Sequence, residues 1–231
     1  RESYWKAAMN IDATTELCAV IGNPVEHSLS PAIHNAAFEA LALNYVYVAF
    51  RVEDVAGAAA GMRALGHFRG MSVTIPHKVS IIRHLDEIDE VTGHIGSVNT
   101  VVKDNGVLRG LSSDGPGAMK ALEDAGVDVA GKQVLVLGSG GAARSISFTL
   151  AAGERRAGLT ILGVVPRELE QLAKDLREKT GVQVAGELLD DNSVKKHAAG
   201  ADIIIHCTPV SMHPGPGETL VPKDLLQAGQ V

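Results

Sequence analysis

From Leu17 onward, short β-rich runs alternate with longer stretches of helical period. Leu17–Ile21, Tyr45–Phe50 and Met71–Ile75 have the length and composition of strands, and Pro31–Leu43 and Glu53–Leu65 lie between them with helical spacing, a βαβαβ rhythm. The pair Ser30-Pro31 predicts a helix start, because a serine hydroxyl can satisfy orphan amides and proline is pre-set for the first turn. Val98–Val102 and Val107–Leu111 flank Lys103-Asp104-Asn105-Gly106, and the Asn-Gly pair supplies the positive φ of a hairpin turn. A helix over 116–125, closed by Gly126, follows. A second series opens at Gly131: strand Gln133–Leu137, helix Ala142–Ala152, strand Leu159–Leu162, helix Arg167–Thr180, strand Val182–Val184, helix Asn192–Ala199 and strand Asp202–His206.

Composition narrows the choice. With 45% apolar residues, 3% aromatics and 25 glycines in 231 residues, the core is built from Ala, Val, Leu and Ile, which suits buried parallel strands and an α/β fold. A net charge of −6 without a basic run excludes nucleic acid as the main partner. Cys18 and Cys207 are the only cysteines, and CxxC and HExxH are absent, so no disulfide framework and no metal site is expected, and a reducing cytoplasm fits. No apolar run reaches about 18 residues, so no membrane partner is expected. The asides of the sequence are an acidic patch at Asp86, Glu87, Asp89 and Glu90, read as a solvated helix face, and nine scattered histidines, of which His27, His34 and His77 are read as structural.

Four segments carry candidate chemistry. Gly138-Ser139-Gly140-Gly141-Ala142-Ala143 follows a strand and opens a helix, matching G-x-G-x-x-A; the glycines let backbone approach a pyrophosphate and the helix end offers unpaired N–H groups. In Ser72-Val73-Thr74-Ile75-Pro76-His77-Lys78, Thr74 and Lys78 fall at a strand's carboxyl end, although Lys78 taken alone is more simply an exposed lysine at a helix start. Ser112-Ser113-Asp114-Gly115 runs into a helix, where Asp114 taken alone is an N-cap. His27-Ser28-Leu29-Ser30-Pro31 offers two hydroxyls that bind a carboxylate or cap a helix.

Set side by side with Gly22-Asn23-Pro24-Val25, Ile95-Gly96-Ser97-Val98-Asn99-Thr100 and Thr208-Pro209-Val210-Ser211-Met212, these segments resemble the shikimate dehydrogenase family from Leu17 to Val231. The resemblance implies an N-terminal mixed-sheet substrate domain over 16–114, followed by a Rossmann-like nucleotide-binding domain over 115–231 that stops short of the family's usual end, with 1–15 as linker or leader. It implies reversible reduction of 3-dehydroshikimate to shikimate with NADP, NAD being open, in the cleft between the domains. The implied roles are Lys78 and Asp114 as catalytic pair, Ser28 and Ser30 on the substrate carboxylate, and Thr74, Asn99 and Ser113 on ring hydroxyls. Gly138, Ser139, Gly140, Gly141, Ala142, Ala143, Thr208 and Met212 would face the cofactor. A monomer or homodimer, and fusion to a dehydroquinate dehydratase domain, are further expectations.

Departures from the family pattern keep two rivals in view: an NAD-preferring quinate/shikimate dehydrogenase, and a binding module without turnover. Ser72 and Ser112 stand where asparagine is usual, and Ser211 stands for a glycine, which crowds the backbone if that position needs positive φ. Gly163-Val164-Val165 replaces an N-R-T whose arginine grips the adenosine 2′-phosphate, with Arg144 and Arg167 as nearby substitutes.

Overall fold

The computed structural model describes residues 11–152, 157–211 and 217–231. The chain divides into two compact units, Arg1–Glu90 with Val98–Leu111, and Val91–Ser97 with Ser112–Val231. In the first, β1 (Glu16–Gly22), α1 (Ser30–Ala40), β2 (Tyr45–Arg51), α2 (Val55–Ala64), β3 (Phe68–Val73) and the two-residue β4 (Glu87–Ile88) come in sequence. Helix α3 (Glu90–Ile95) falls almost wholly in the second unit, and the chain then returns for the hairpin β5 (Thr100–Asp104) and β6 (Val107–Leu111).

The first sheet has the order β2-β1-β3-β5-β6-β4 and is mixed, as expected: β1 runs parallel to β2 and β3, whereas β3–β5 and β5–β6 are antiparallel. Ala19, Val20 and Ile21 on the central β1 are buried, which explains the unbroken apolar run. Asn105 and Gly106 both take positive φ, and the pairing Asp104↔Val107 closes the predicted two-residue turn. Val55, Ala59 and Met62 of α2 repeat at helical spacing and join the core. Helix α1 buries none of its residues; the Asn35 amide fastens it, donating to the Tyr47 carbonyl at 2.9 Å and accepting from the Tyr47 N–H at 2.8 Å. This satisfies backbone on the edge strand β2.

The acidic patch is exposed, as expected, but it is not a helix face. Its centre is β4, paired with β6, and Glu87 there meets Arg109 at 2.8 Å, while Asp86 just before it meets Arg63 at 2.9 Å. The Leu108 amide, opposed by desolvation and helped by Arg63, holds the Asp86 carboxyl below the usual carboxylate range.

The second unit continues with α4 (Asp114–Asp124), β7 (Gln133–Leu137), α5 (Gly141–Ala151), β8 (Gly158–Gly163), α6 (Pro166–Thr180), β9 (Val184–Leu188), α7 (Asp191–Ala198) and β10 (Ile203–His206). All four strands are parallel in the order β10-β7-β8-β9, so the chain reverses direction across the sheet between β7 and β10. That is the Rossmann-like arrangement, with its ligand crevice at the reversal. Leu169, Leu172, Ala173 and Leu176 form the buried stripe of α6, and Gly181 ends it at φ +71°. The strand expected over 182–184 lies instead at 184–188: Val182 precedes it, and this edge strand, with Ala185 and Gly186 at its centre and only Val184 buried, carries little strand signal. Ile95 of α3 belongs to this unit's core with Ile146, Phe148 and Leu172.

Candidate active site

In the first unit, β1 and β3 are parallel and β5 opposes them, so the ends of β1 and β3 and the start of β5 meet at one end of the sheet. Backbone bonds stitch this end together. The Thr74 N–H donates to the Ile21 carbonyl at 2.9 Å, Asn23 N–H to Ile75 at 2.8 Å, Val73 N–H to Asn99 at 2.7 Å and Val98 N–H to Lys78 at 2.8 Å. Thr74 and Lys78 of one segment are thus joined by Asn99 of another, all three half-buried. Gly22 explains itself here: a Cβ on it would lie 2.4 Å from Thr74 Cγ2. Asn99 Oδ1 accepts from the Thr100 hydroxyl at 3.1 Å.

Ser28 and Ser30 follow β1, both half-buried. The expected serine cap is displaced by one step. Ser30 is already the first residue of α1, Leu29 occupies the cap position, and the Ser30 N–H donates to Ser28 Oγ at 3.3 Å. His77 is buried with Nε2 at 2.7 Å from the Val52 carbonyl, and His34 stacks on Tyr47 at 4.3 Å; both are structural. A signal the sequence reading passed over is the Tyr47 hydroxyl, which donates to Ser72 Oγ at 2.7 Å and gives that serine a partner across β1.

Lys78 lies in the first unit and Asp114 in the second. Asp114 is not an N-cap: Ser113 holds that position and Asp114 is the first residue of α4. Gly115 N–H donates to Ser145 Oγ, which also bonds Ser112 Oγ, each at 2.9 Å. Only glycine fits there, since a Cβ would fall 2.0 Å from Thr149 Oγ1. Helix α4 is therefore pinned to α5 immediately beside Ser113 and Asp114.

The nucleotide turn has the shape that pyrophosphate binding needs. Gly138 takes φ +116°, and a Cβ on it would meet the Cys207 carbonyl oxygen at 2.9 Å, so backbone from β7 and β10 closes in with no room for a side chain. Gly140 holds the cap position of α5, whose first N–H groups open towards the turn, and Ser139 is buried. Thr208 follows β10 beside Gly138, with Oγ1 accepting from the Val210 N–H at 3.2 Å. These residues fit a dinucleotide. Met212 lies outside the described residues, as do residues 1–10.

Two departures take physical form. Ser211 has φ +69°, the left-handed region that glycine occupies without strain, so its side chain is carried at a cost of about 1 kcal/mol. At the end of β8, Gly163 is packed against Ser139, where a Cβ would lie 2.6 Å from Oγ, and Val164 is 71% exposed. Arg144 is no substitute cation. Its side chain is 11% exposed, with Nη2 on Asp175 at 2.5 Å and Nε donating to the Ile95 carbonyl at 2.7 Å. Burial pushes the Asp175 carboxyl up, yet the Arg144 and Gln171 hydrogen bonds outweigh this and hold it below its usual range. Arg167 is exposed in the first turn of α6, next to Glu168. Among the described residues there is no metal-holding cluster and no helix long and apolar enough to cross a membrane.

Comparison with known proteins agrees with this geometry. Residues 20–101 match the family model described as Shikimate dehydrogenase substrate binding domain. The shikimate dehydrogenase (NADP(+)) of Moorella thermoacetica is 42% identical over 224 residues, which are 96% of this chain and 75% of that protein. A shikimate 5-dehydrogenase from Listeria monocytogenes, solved in complex with shikimate and NAD, has a TM-score of 0.81 at 36% identity and covers 96% of this chain and 78% of its own. The Thermus thermophilus enzyme, in complex with NADP(H) and shikimate, gives 0.76 at 32% identity, over 92% and 75% of the two chains. With sequence and fold agreeing over nearly its full length, the chain belongs to the shikimate dehydrogenase family.

Proposed function

We propose that this chain catalyses the reversible reduction of 3-dehydroshikimate to shikimate with NADP. The observation that carries it is the gathering of Thr74, Lys78 and Asn99 at one end of the mixed sheet, in a chain 42% identical to a shikimate dehydrogenase. Ser28 and Ser30 hold the substrate carboxylate, and Thr74, Asn99 and Ser113 take ring hydroxyls. When bound on Gly138–Ala143 and Thr208, the nicotinamide supplies or accepts the hydride.

Reduction turns a ring carbonyl into an alkoxide, and negative charge on that oxygen is the obstacle. Lys78 stabilises the charge as ammonium and delivers a proton to the oxygen; in the reverse direction its neutral amine takes the proton back. Asp114 bonds the neighbouring hydroxyl and orients the lysine. A chain of 231 residues with only two cysteines has no disulfide framework to maintain, which suits a reducing cytoplasm as the compartment. Monomer and homodimer are separated by size-exclusion chromatography with light scattering.

Following reduced nicotinamide by absorbance, with shikimate and quinate each paired with NADP and NAD, tests the reading. Turnover of shikimate with NADP is the expected result. Turnover confined to quinate with NAD, or binding without any turnover, would overturn it.

A further inference from the structure

Helix α3 ends on two cations. The His94 carbonyl accepts from Lys179 Nζ at 2.9 Å and the Ile95 carbonyl from Arg144 Nε at 2.7 Å. Both cations lie 5.8 Å from the centre of the Phe148 ring, and Asp175 fixes the outer face of Arg144. Cations here meet the unpaired carbonyls and the negative end of a helix, so the arrangement fastens the carboxyl end of α3. Gly96 follows at φ +67°, and a Cβ on it would press to 3.2 Å from Arg144 Nη2. Ser97 is buried; after it, Val98 N–H holds the Lys78 carbonyl and the Asn99 carbonyl accepts from Val73.

The segment between the clamp and Asn99 is therefore three residues long, and its glycine leaves no room for a side chain beside Arg144. We propose that Arg144 and Lys179 are positioning residues for the reaction: by fixing the end of α3 they set where Val98 grips Lys78 and where Asn99 is presented to substrate. The inference rests on the functional reading above. It assigns Arg144 away from cofactor phosphate, although that residue sits in the first turn of α5.

Lys179 separates the two roles, because it belongs to the last turn of α6, about 20 Å along the helix axis from Pro166, and is no part of the nucleotide turn. In the full chain, Lys179→Met and Arg144→Lys are each expected to raise KM for shikimate about five- to tenfold. Lys179→Met should change KM for NADP less than twofold. Lys179→Arg, which retains a donor of similar reach, should keep the parental KM. Melting temperature is read alongside. A fall in melting temperature with shikimate KM unchanged in both variants makes the clamp a mere brace and overturns the proposal. So does an Arg144→Lys variant impaired only with NADP and not with NAD, which would return Arg144 to phosphate binding. A parent that neither binds nor turns over shikimate defeats the functional reading as well; a working parent with unaffected variants defeats the positioning role alone.

Discussion

The two units furnish the candidate ligand ends of their sheets in opposite ways. The mixed sheet presents side chains: Thr74, Lys78 and Asn99 are brought together by backbone bonds that leave their functional groups to vary in kind. The parallel sheet presents backbone, and its chemistry depends on side chains being absent, as at Gly138 against the Cys207 carbonyl. A polyhydroxylated carboxylate needs directed donors and acceptors, whereas a pyrophosphate needs N–H groups and close approach. Substitution in the first unit therefore changes which atoms are held, and in the second it changes whether the backbone can come near.

The contrast breaks most sharply at Lys78. Lys78→Met should lower kcat by about 10²- to 10⁴-fold while shikimate still binds, measured by turnover and by calorimetric titration. A variant keeping more than roughly a tenth of kcat would remove Lys78 from its proton-transfer role. Next come Ser28→Ala and Ser30→Ala, each expected to raise KM for shikimate by an amount equivalent to roughly 1 to 3 kcal/mol. Since Ser28 Oγ already accepts the Ser30 N–H, an unchanged KM with a lowered melting temperature would leave these serines as helix-start residues.

In the second unit the effects are smaller. With Arg144 committed to Asp175 and Ile95, the end of β8 offers no buried cation to a 2′-phosphate among the described residues, so Val164→Arg should shift the NADP/NAD ratio of kcat/KM towards NADP by about tenfold. A strongly NADP-selective parent that loses selectivity on Arg167→Ala would show that the exposed arginine already serves. Smallest is Ser211→Gly, which exchanges left-handed strain for chain entropy and nets up to about 1 kcal/mol. A melting temperature higher by about 2 to 4 °C is the expected reading, and a lower one would mean that the Ser211 side chain makes a contact worth more than its strain.

Much of the fold was legible because its signals are local. The apolar runs of β1 and β7, the Asn105-Gly106 turn and the stripe of α6 each declare themselves within about ten residues. What was not legible depends on distant partners. The two-residue β4 has no periodicity and exists through β6; Glu87 and Asp86 are exposed, and their ion pairs show only once Arg109 and Arg63 are placed opposite them. For the candidate site, motif order named the segments, and the strand order explains why the ends of β1 and β3 and the start of β5 converge. That Arg144 is engaged by Asp175 could not be seen, because proximity in sequence to a nucleotide turn says nothing about a carboxylate 31 positions away.

The route of the chain bears on how such a protein can be taken apart or recombined. Passage between the units occurs after Glu90, after Ser97 and after Leu111, so the nucleotide-binding half is encoded discontinuously. A gene cut after Leu111 would strip Ile95 from the core it shares with Ile146 and Phe148, and would leave Arg144 and Lys179 without the carbonyls they cap. Modular exchange of this half with another nucleotide-binding domain would have to carry α3 along, or replace it with an equivalent plug.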